Sequence, residues 1–488
     1  MQKRTILFLA VLLSMVSYAQ EAITTKLYET YDTYKNASLN KRRIKHKQIQ
    51  PLIQRFEANT KFEVQKVGES IEGRDLHLIS IGSGSENIFL WSQMHGDEPT
   101  ATMAIFDILN FLDSPEFKSE KELILSKLKL HFLPMLNPDG AEVYERRNAL
   151  GVDINRDALR LQSPEGRTLK RLRDSLDAKF GFNLHDQSTY YNAELTGKPA
   201  TISYLATAYN YEKDINEVRS NAMKVIVYMN NIIQKYAPGQ VGRYNDDFEP
   251  RAFGDNIAKW GTSLILIESG GYANDVEKQE IRKLNYVSIL SALYTIAKKS
   301  YKTIPEADYE KIPRNDRKLF DLKIENVTYE LLGKDYILDL GIYRREVDDE
   351  NHESFYYRSM IADQGDLSTF YGYETFDATG YKIIPPKKYP KSMNTNTRAL
   401  WNDANSPFKS GYGYFTTNFL PPIPYTEMPG HFVKKNYEVP DFRLRPGVNP
   451  TFFLEKDGKL THAVINGFLI DFSKPIEKQN FGNALIYR

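Results

Sequence analysis

Residues 87–98 read Asn-Ile-Phe-Leu-Trp-Ser-Gln-Met-His-Gly-Asp-Glu, an apolar run that stops on a turn carrying His95, Asp97 and Glu98. Pro99 and a helical stretch, 100–112, follow. A short apolar run bounded by turn residues reads as a buried strand, and proline suits the first turn of a helix. The pattern recurs three times downstream. Residues 128–136 run into Asn137-Pro138-Asp139-Gly140, 180–184 into His185-Asp186, and 262–267 into Glu268-Ser269-Gly270-Gly271. Helical patterns lie between them at 121–126, 168–178, 214–236 and 275–299. Strands alternating with helices predict an α/β fold with a mostly parallel, mixed sheet flanked by helices. Ligands of such sheets bind beyond the carboxyl ends of the strands, and here four strand ends deliver polar or turn residues to one edge.

Outward from this core the texture changes. Pro305 and Pro313 stand among charged residues in 301–317, which reads as a linker. From 318 to 488 the runs are short, β-like and rich in Tyr and Phe, with Pro-rich turns between them, and predict a smaller C-terminal β domain. Its aromatic residues, Trp401 among them, are expected to pack a small β core. At the other end, Lys3 and Arg4 precede an apolar run over 6–16 and a small-x-small site at Ser17-Tyr18-Ala19. That is the pattern of a secretory signal peptide over 1–19, too short for a membrane span. The α/β domain is then expected over 20–305, in an exported protein that is periplasmic or secreted. The basic run 41–47 reads as the solvated face of an N-terminal helix.

Composition excludes whole classes of chemistry. The 488 residues are 41% hydrophobic and 26% charged, which is globular composition. Lys and Arg total 64 against 63 Asp and Glu; without Lys3 and Arg4 the balance is 62 against 63, a formal −1. Near neutrality gives no electrostatic case for nucleic acid. No later stretch is long and apolar enough to span a membrane. There is no Cys, so disulfides, thiolate metal sites and Cys nucleophiles are excluded, and any metal must be held by His, Asp or Glu.

His95 and Glu98 stand three residues apart in a loop that enters a helix, so both can face one ion. His185, at a distant strand end, can supply a third ligand. Two His and one Glu suit a catalytic zinc with a position open for water; iron and cobalt suit the same set. His77 and His131 lie inside apolar strands and His46 in the basic run, so they are poorer candidates. Glu268 lies at the end of the most hydrophobic strand in the chain, where partial burial would raise its pKa toward that of a general base. Asn155 and Arg156 share a tight loop able to bind a carboxylate through an amide and a planar fork.

Taken in chain order, His95-x-x-Glu98, Asn137-Pro138-Asp139-Gly140, Arg146, Asn155-Arg156, His185 and Glu268 resemble the zinc carboxypeptidase family that includes pancreatic carboxypeptidase A. The resemblance covers about residues 50–300. It implies one Zn2+ per chain on His95, Glu98 and His185, and a peptide substrate whose free C-terminal carboxylate is held by Asn155 and Arg156. It implies that Arg146, with Arg147 as fallback, faces the scissile carbonyl, that Glu268 is the catalytic carboxylate, and that Asp153 fixes the ring of His95. The chain departs from the digestive members in two places. Asp97 replaces an Arg, a variant similar to bacterial murein-peptide amidases. The mobile Tyr 22 residues before the catalytic Glu is replaced by Asp246, which leaves Tyr244 as the substrate-side candidate. Gly254 and Asp255 lie in the region of the specificity pocket. The expectation is a metallocarboxypeptidase. A zinc amidase on murein peptides or N-acyl amino acids is the alternative, and an inactive peptidase-like binding protein is the reading of another class.

Overall fold

The computed structural model describes residues 23–393, 399–403 and 406–488, so the signal peptide expected over 1–19 lies outside the described residues. Two compact units divide the chain after Arg317.

The strands of the first unit are β1 (Glu63–Glu69), β2 (Asp75–Ile81), β3 (Glu86–Ser92), β4 (Leu128–Leu133), β5 (Phe180–Asp186), β6 (Asn192–Ala193), β7 (Ile202–Ala206), β8 (Val241–Arg243), β9 (Ser263–Ser269) and β10 (Asn315–Asp316). Eight form one sheet in the order β1-β2-β4-β3-β5-β9-β7-β8. The four strands anticipated from the sequence, β3, β4, β5 and β9, sit at its centre and run parallel. β2 and β7 flank them antiparallel, which makes the sheet mixed.

Strand alternation sorts the side chains of β5 between two environments. Phe180, Phe182 and Leu184 join Ile88, Leu90, Ile265 and Ile267 in one core, with residues of the helices Thr100–Asp113, Glu217–Ile233 and Gln279–Lys298. The other core holds Phe89, Trp91 and Leu264, with residues of Pro164–Leu176 and Phe253–Lys259. On that second face β5 carries Gly181, Asn183 and His185 in place of large apolar residues. The missing bulk leaves room for a site.

Two sequence expectations fail here. The basic run is not a solvated helix face: Arg42, Arg43 and Lys45 are buried, and the helix starts only at His46. Arg43 stacks on Tyr144 with its guanidinium carbon 4.2 Å from the ring centre, Lys45 Nζ donates to the Glu142 carbonyl, and Arg42 Nε lies 4.0 Å from Glu277, which also accepts the Arg42 backbone N at 2.7 Å. Long cationic side chains can bury their stems when each head finds an acceptor or a ring. The second failure is the linker. Residues 300–316 fold into two 3-10 turns, Ser300–Thr303 and Glu306–Lys311, then β10. Tyr301, Tyr309 and Ile312 bury into the first unit, and β10 pairs with β6. The prolines punctuate turns; they do not free the chain.

The second unit is β-rich. A long hairpin, Leu319–Leu331 and Lys334–Asp348, pairs onward with Phe355–Gly365. Trp401 is buried, with Phe415 at 4.7 Å and Phe408 at 5.7 Å between ring centres, so it packs core. Among the described residues no helix is long and apolar enough to cross a membrane.

Candidate active site

His95 reaches its place through a loop built by local bonds. Gln93 takes a left-handed backbone (φ 50°), and its side chain spans the loop, donating to the Gly96 carbonyl at 2.8 Å and accepting from Thr102 at 3.0 Å. The turn at Asn137 packs underneath. A Cβ on Gly96 would lie 2.1 Å from the Gly140 carbonyl carbon, so only glycine fits. Asn137 caps the following turn by accepting Gly140 N at 3.0 Å, while Asp139 accepts from Ser70, Glu72 N and Arg74. This second motif is scaffold for the loop that carries His95 and Glu98.

His185 comes from β5, where register puts it beside Glu268 of β9, itself opposite Ser203 of β7. His95 Nδ1 lies 2.8 Å from Glu98 Oε1, His185 Nδ1 lies 2.6 Å from Glu98 Oε2, and the two Nδ1 atoms are 3.1 Å apart. Among the described residues this is the one cluster whose ligand atoms converge as a metal requires, within 4.8 Å of one another. All three residues are buried. His95 Nε2 faces Asp153 Oδ1 at 3.2 Å, which assigns its Nδ1 to the centre. The donor set of two imidazoles and a carboxylate fits zinc.

The charges support one another. Burial works against a charged His95 ring, but Glu98 and Asp153 more than offset it and raise its pKa. Burial likewise opposes charge on Glu98, yet the two imidazoles hold its carboxyl well below the usual range. Glu268 is pushed well above the usual carboxylate range, first by burial and then by the negative charges of Glu98 and Asp186. Its carboxylate makes no hydrogen bond among the described residues, and it lines a cavity of about 830 Å3.

The same cavity is lined by every other residue anticipated for substrate. Arg146 donates from Nε to Asp153 at 3.1 Å and places Nη1 3.0 Å from His95 Nδ1. Arg147 instead donates to the Gly151 carbonyl at 2.9 Å, in an exposed turn. Asn155 and Arg156 sit on a 3-10 turn that Asp153 caps by accepting Asn155 N at 3.0 Å. Asn155 Oδ1 accepts Phe253 N at 2.9 Å, and Arg156 approaches Glu249 at 3.7 Å. Tyr244 lies on the wall, its ring centre 6.2 Å from that of Tyr191; the charge of Glu268, then burial, raises its pKa. Asp246 pairs with Arg219 at 3.0 Å and Lys213 at 3.1 Å, a structural ion cluster at the rim.

Other residues were not legible in the sequence. Lys278 Nζ lies 3.0 Å from Asp186, which also accepts Thr100 at 2.6 Å, and its charge opposes the rise at Glu268. Lys278 falls inside the helical pattern read over 275–299, but the helix starts only at Gln279 and leaves Lys278 at its N-terminal boundary. Glu310, Arg314 and Asn315 line the cavity from the segment read as a linker. Asn315 is locked by donating to Gln187 at 2.6 Å and accepting from Ser203 at 2.7 Å.

Two imidazoles and a carboxylate, beside a further buried carboxylate, form a cluster that could hold one metal ion. Residues 52–159 match the family described as Zinc carboxypeptidase. The matched stretch holds His95, Glu98, Arg146, Asn155 and Arg156; His185 and Glu268 lie beyond it. Carboxypeptidase SOL1 of Arabidopsis thaliana is 33% identical over 98 residues, covering 19% of this chain and 20% of that protein. Carboxypeptidase E of Caenorhabditis elegans is 29% identical over 113 residues, covering 19% and 24%. The chain thus spans about a fifth to a quarter of the length of these relatives. A metallo-carboxypeptidase structure from Burkholderia cenocepacia aligns with 52% of this chain and 69% of its own, at 14% identity and a TM-score of 0.43.

Proposed function

We propose that this protein is a zinc-dependent metallocarboxypeptidase that hydrolyses the C-terminal peptide bond of peptides. The convergence of His95, Glu98 and His185 beside Glu268 carries this reading. Zinc held by these three would polarise a carbonyl and lower the pKa of a water. Glu268, with its raised pKa, accepts the proton of the attacking water and returns it to the departing amine. Arg146, poised at the ligand cluster, offsets charge developing on the carbonyl oxygen. Asn155 and Arg156 hold the terminal carboxylate, which restricts cleavage to chain ends. The α/β unit carries the catalysis. Export follows from the leader pattern at 1–19 and places the substrates outside the cytoplasm.

Incubating zinc-loaded protein with a mixed peptide library and reading the products by mass spectrometry tests the proposal. Loss of single C-terminal residues, stopped by a chelator and blocked in C-amidated peptides, is expected. Internal cleavage, or no cleavage with zinc bound, would overturn it, and the latter would favour a binding role. Asp97 supports an amidase reading second: its buried Oδ1 has no partner, and burial followed by the charge of Glu98 raises its pKa to about 6. Faster turnover of a murein tripeptide than of ordinary peptides would select that reading.

A further inference from the structure

Lys278 precedes the helix Gln279–Lys298 with a left-handed backbone (φ 51°), a region unfavourable to a residue with a Cβ. Its loop holds it there. Lys278 N donates to the Asp275 carbonyl at 3.0 Å, and the Asp275 carboxylate accepts Gln279 N at 2.6 Å and Glu280 N at 2.9 Å. Glu277, one residue earlier, is tied to the N-terminal segment by accepting Arg42 N at 2.7 Å. Backbone strain of this kind persists only where the surroundings over-determine it, and it points to a use for the side chain.

The ammonium makes two contacts, each with the neighbour of a functional residue. Nζ donates to Asp186 Oδ2 at 3.0 Å and to the Ser269 carbonyl at 3.0 Å. Asp186 follows His185, and Ser269 follows Glu268. Asp186 carries the link to a third segment. Its Oδ2 accepts Thr100, two residues past Glu98, at 2.6 Å, and its backbone N donates to Glu98 Oε2 at 3.2 Å. One ion pair therefore joins the three chain segments that bring His185, Glu98 and Glu268 together. The side chains of Lys278 and Asp186 are each 7% exposed. Apolar residues of similar volume often match or exceed such a buried pair in stability, so stability alone does not account for it.

Resting on the metallocarboxypeptidase reading, we propose that Lys278 is a positioning residue for hydrolysis. Through Asp186 it fixes where His185 and Glu98 meet, and through the Ser269 carbonyl it fixes Glu268 beside them. Asn155 and Arg156 stand outside this link, on a turn held by Asp153 and by Phe253 N. Lys278 therefore acts on metal affinity and on the chemical step, and leaves capture of the terminal carboxylate alone.

The test compares Lys278→Met, which keeps the stem and removes the charge, with Lys278→Arg, which keeps the charge. Zinc affinity is read by competition with a chromophoric chelator, and kcat and KM on one peptide with a free C-terminus. Lys278→Met should weaken zinc binding about 10-fold or more and lower kcat by about 10- to 100-fold, the scale for supports of a ligating imidazole. KM should stay within about twofold, and Lys278→Arg should recover most of both losses. Asp186→Asn should weaken zinc binding to a similar extent. The double variant should lose no more than either single one, because the two residues act as a unit. If Lys278→Met does not fold, Lys278→Gln, which keeps a donor and loses the charge, carries the same comparison. Unchanged zinc affinity and kcat, a loss confined to KM, or additive losses in the double variant overturn the assignment. Wild-type enzyme that binds zinc and cleaves no peptide overturns the carboxypeptidase reading, while the zinc titrations still decide whether Lys278 seats the ligands.

Discussion

Asp153 touches three functional groups with one carboxylate. It faces His95 Nε2 at 3.2 Å, accepts Arg146 Nε at 3.1 Å and caps the Asn155 turn at 3.0 Å. Supports of a ligating imidazole typically account for about 10–100-fold in metal affinity. Asp153→Ala should therefore weaken zinc binding by about that factor in a competition titration; unchanged affinity would mean that the contact does not orient His95. Glu268 touches no ligand through a hydrogen bond, so Glu268→Gln should keep zinc while kcat falls about 100- to 10,000-fold. Its pKa direction also fixes a pH profile. The base must be ionised, and burial with the nearby charges of Glu98 and Asp186 raises its pKa. Activity should thus fall on acidification at a pH above the usual carboxylate range, and an acid limb at or below about 4.5 would contradict the assignment.

At the scale of elements, the N-terminal segment is fastened by one buried ion pair. Arg282 and Asp107 are both fully buried and meet at 2.5 Å. Arg282 also donates to the carbonyls of Leu39 and Asn36, and Tyr31 donates to Asp107 at 2.9 Å. Arg282→Met leaves Asp107 as an uncompensated buried charge, at a cost of about 3–5 kcal/mol. Proteolysis should then cut first within 23–45, and an unchanged cleavage pattern would show that the pair does not hold the segment. The strand ends were legible because each central strand is a mostly apolar run that stops on a polar or turn residue, and a charge at its end has few structural uses. β7 was not: Ile-Ser-Tyr-Leu-Ala is short and alternating, and only the sheet shows that it runs antiparallel and builds the pocket wall. The 300–316 strap and the basic run were misread for one reason. Local charge and proline describe a segment's solubility, whereas its burial was decided by partners distant in sequence, such as Glu277 for Arg42 and the β6 strand for β10.

For the whole molecule, the second unit has its own titration. His431 is buried with Nε2 2.8 Å from Thr451 Oγ1, and its Nδ1 accepts Leu485 N at 2.9 Å. Burial lowers its pKa to about 3 from an ordinary 6.5. Between those values the unfolded chain binds a proton that the folded unit does not. Stability is therefore present above pH 6.5 and lost progressively as pH falls toward 3, by about 5 kcal/mol at full extent. Calorimetry of the full chain should show a transition whose Tm drops with acidification and drops less in His431→Gln; equal slopes would contradict the account. The β-rich character of this unit was legible from its Tyr- and Phe-rich runs, but no residue in it carried a spacing that told its role.

The central claim is that one metal ion binds between residues brought together from β5 and from the loop after β3. Anomalous diffraction at the zinc edge, from crystals grown with one equivalent of zinc, tests it most directly. The account predicts a single peak between His95 Nδ1, His185 Nδ1 and the Glu98 carboxylate, retained in Glu268→Gln and absent in His185→Ala. A peak elsewhere, or one that survives His185→Ala undiminished, would contradict it.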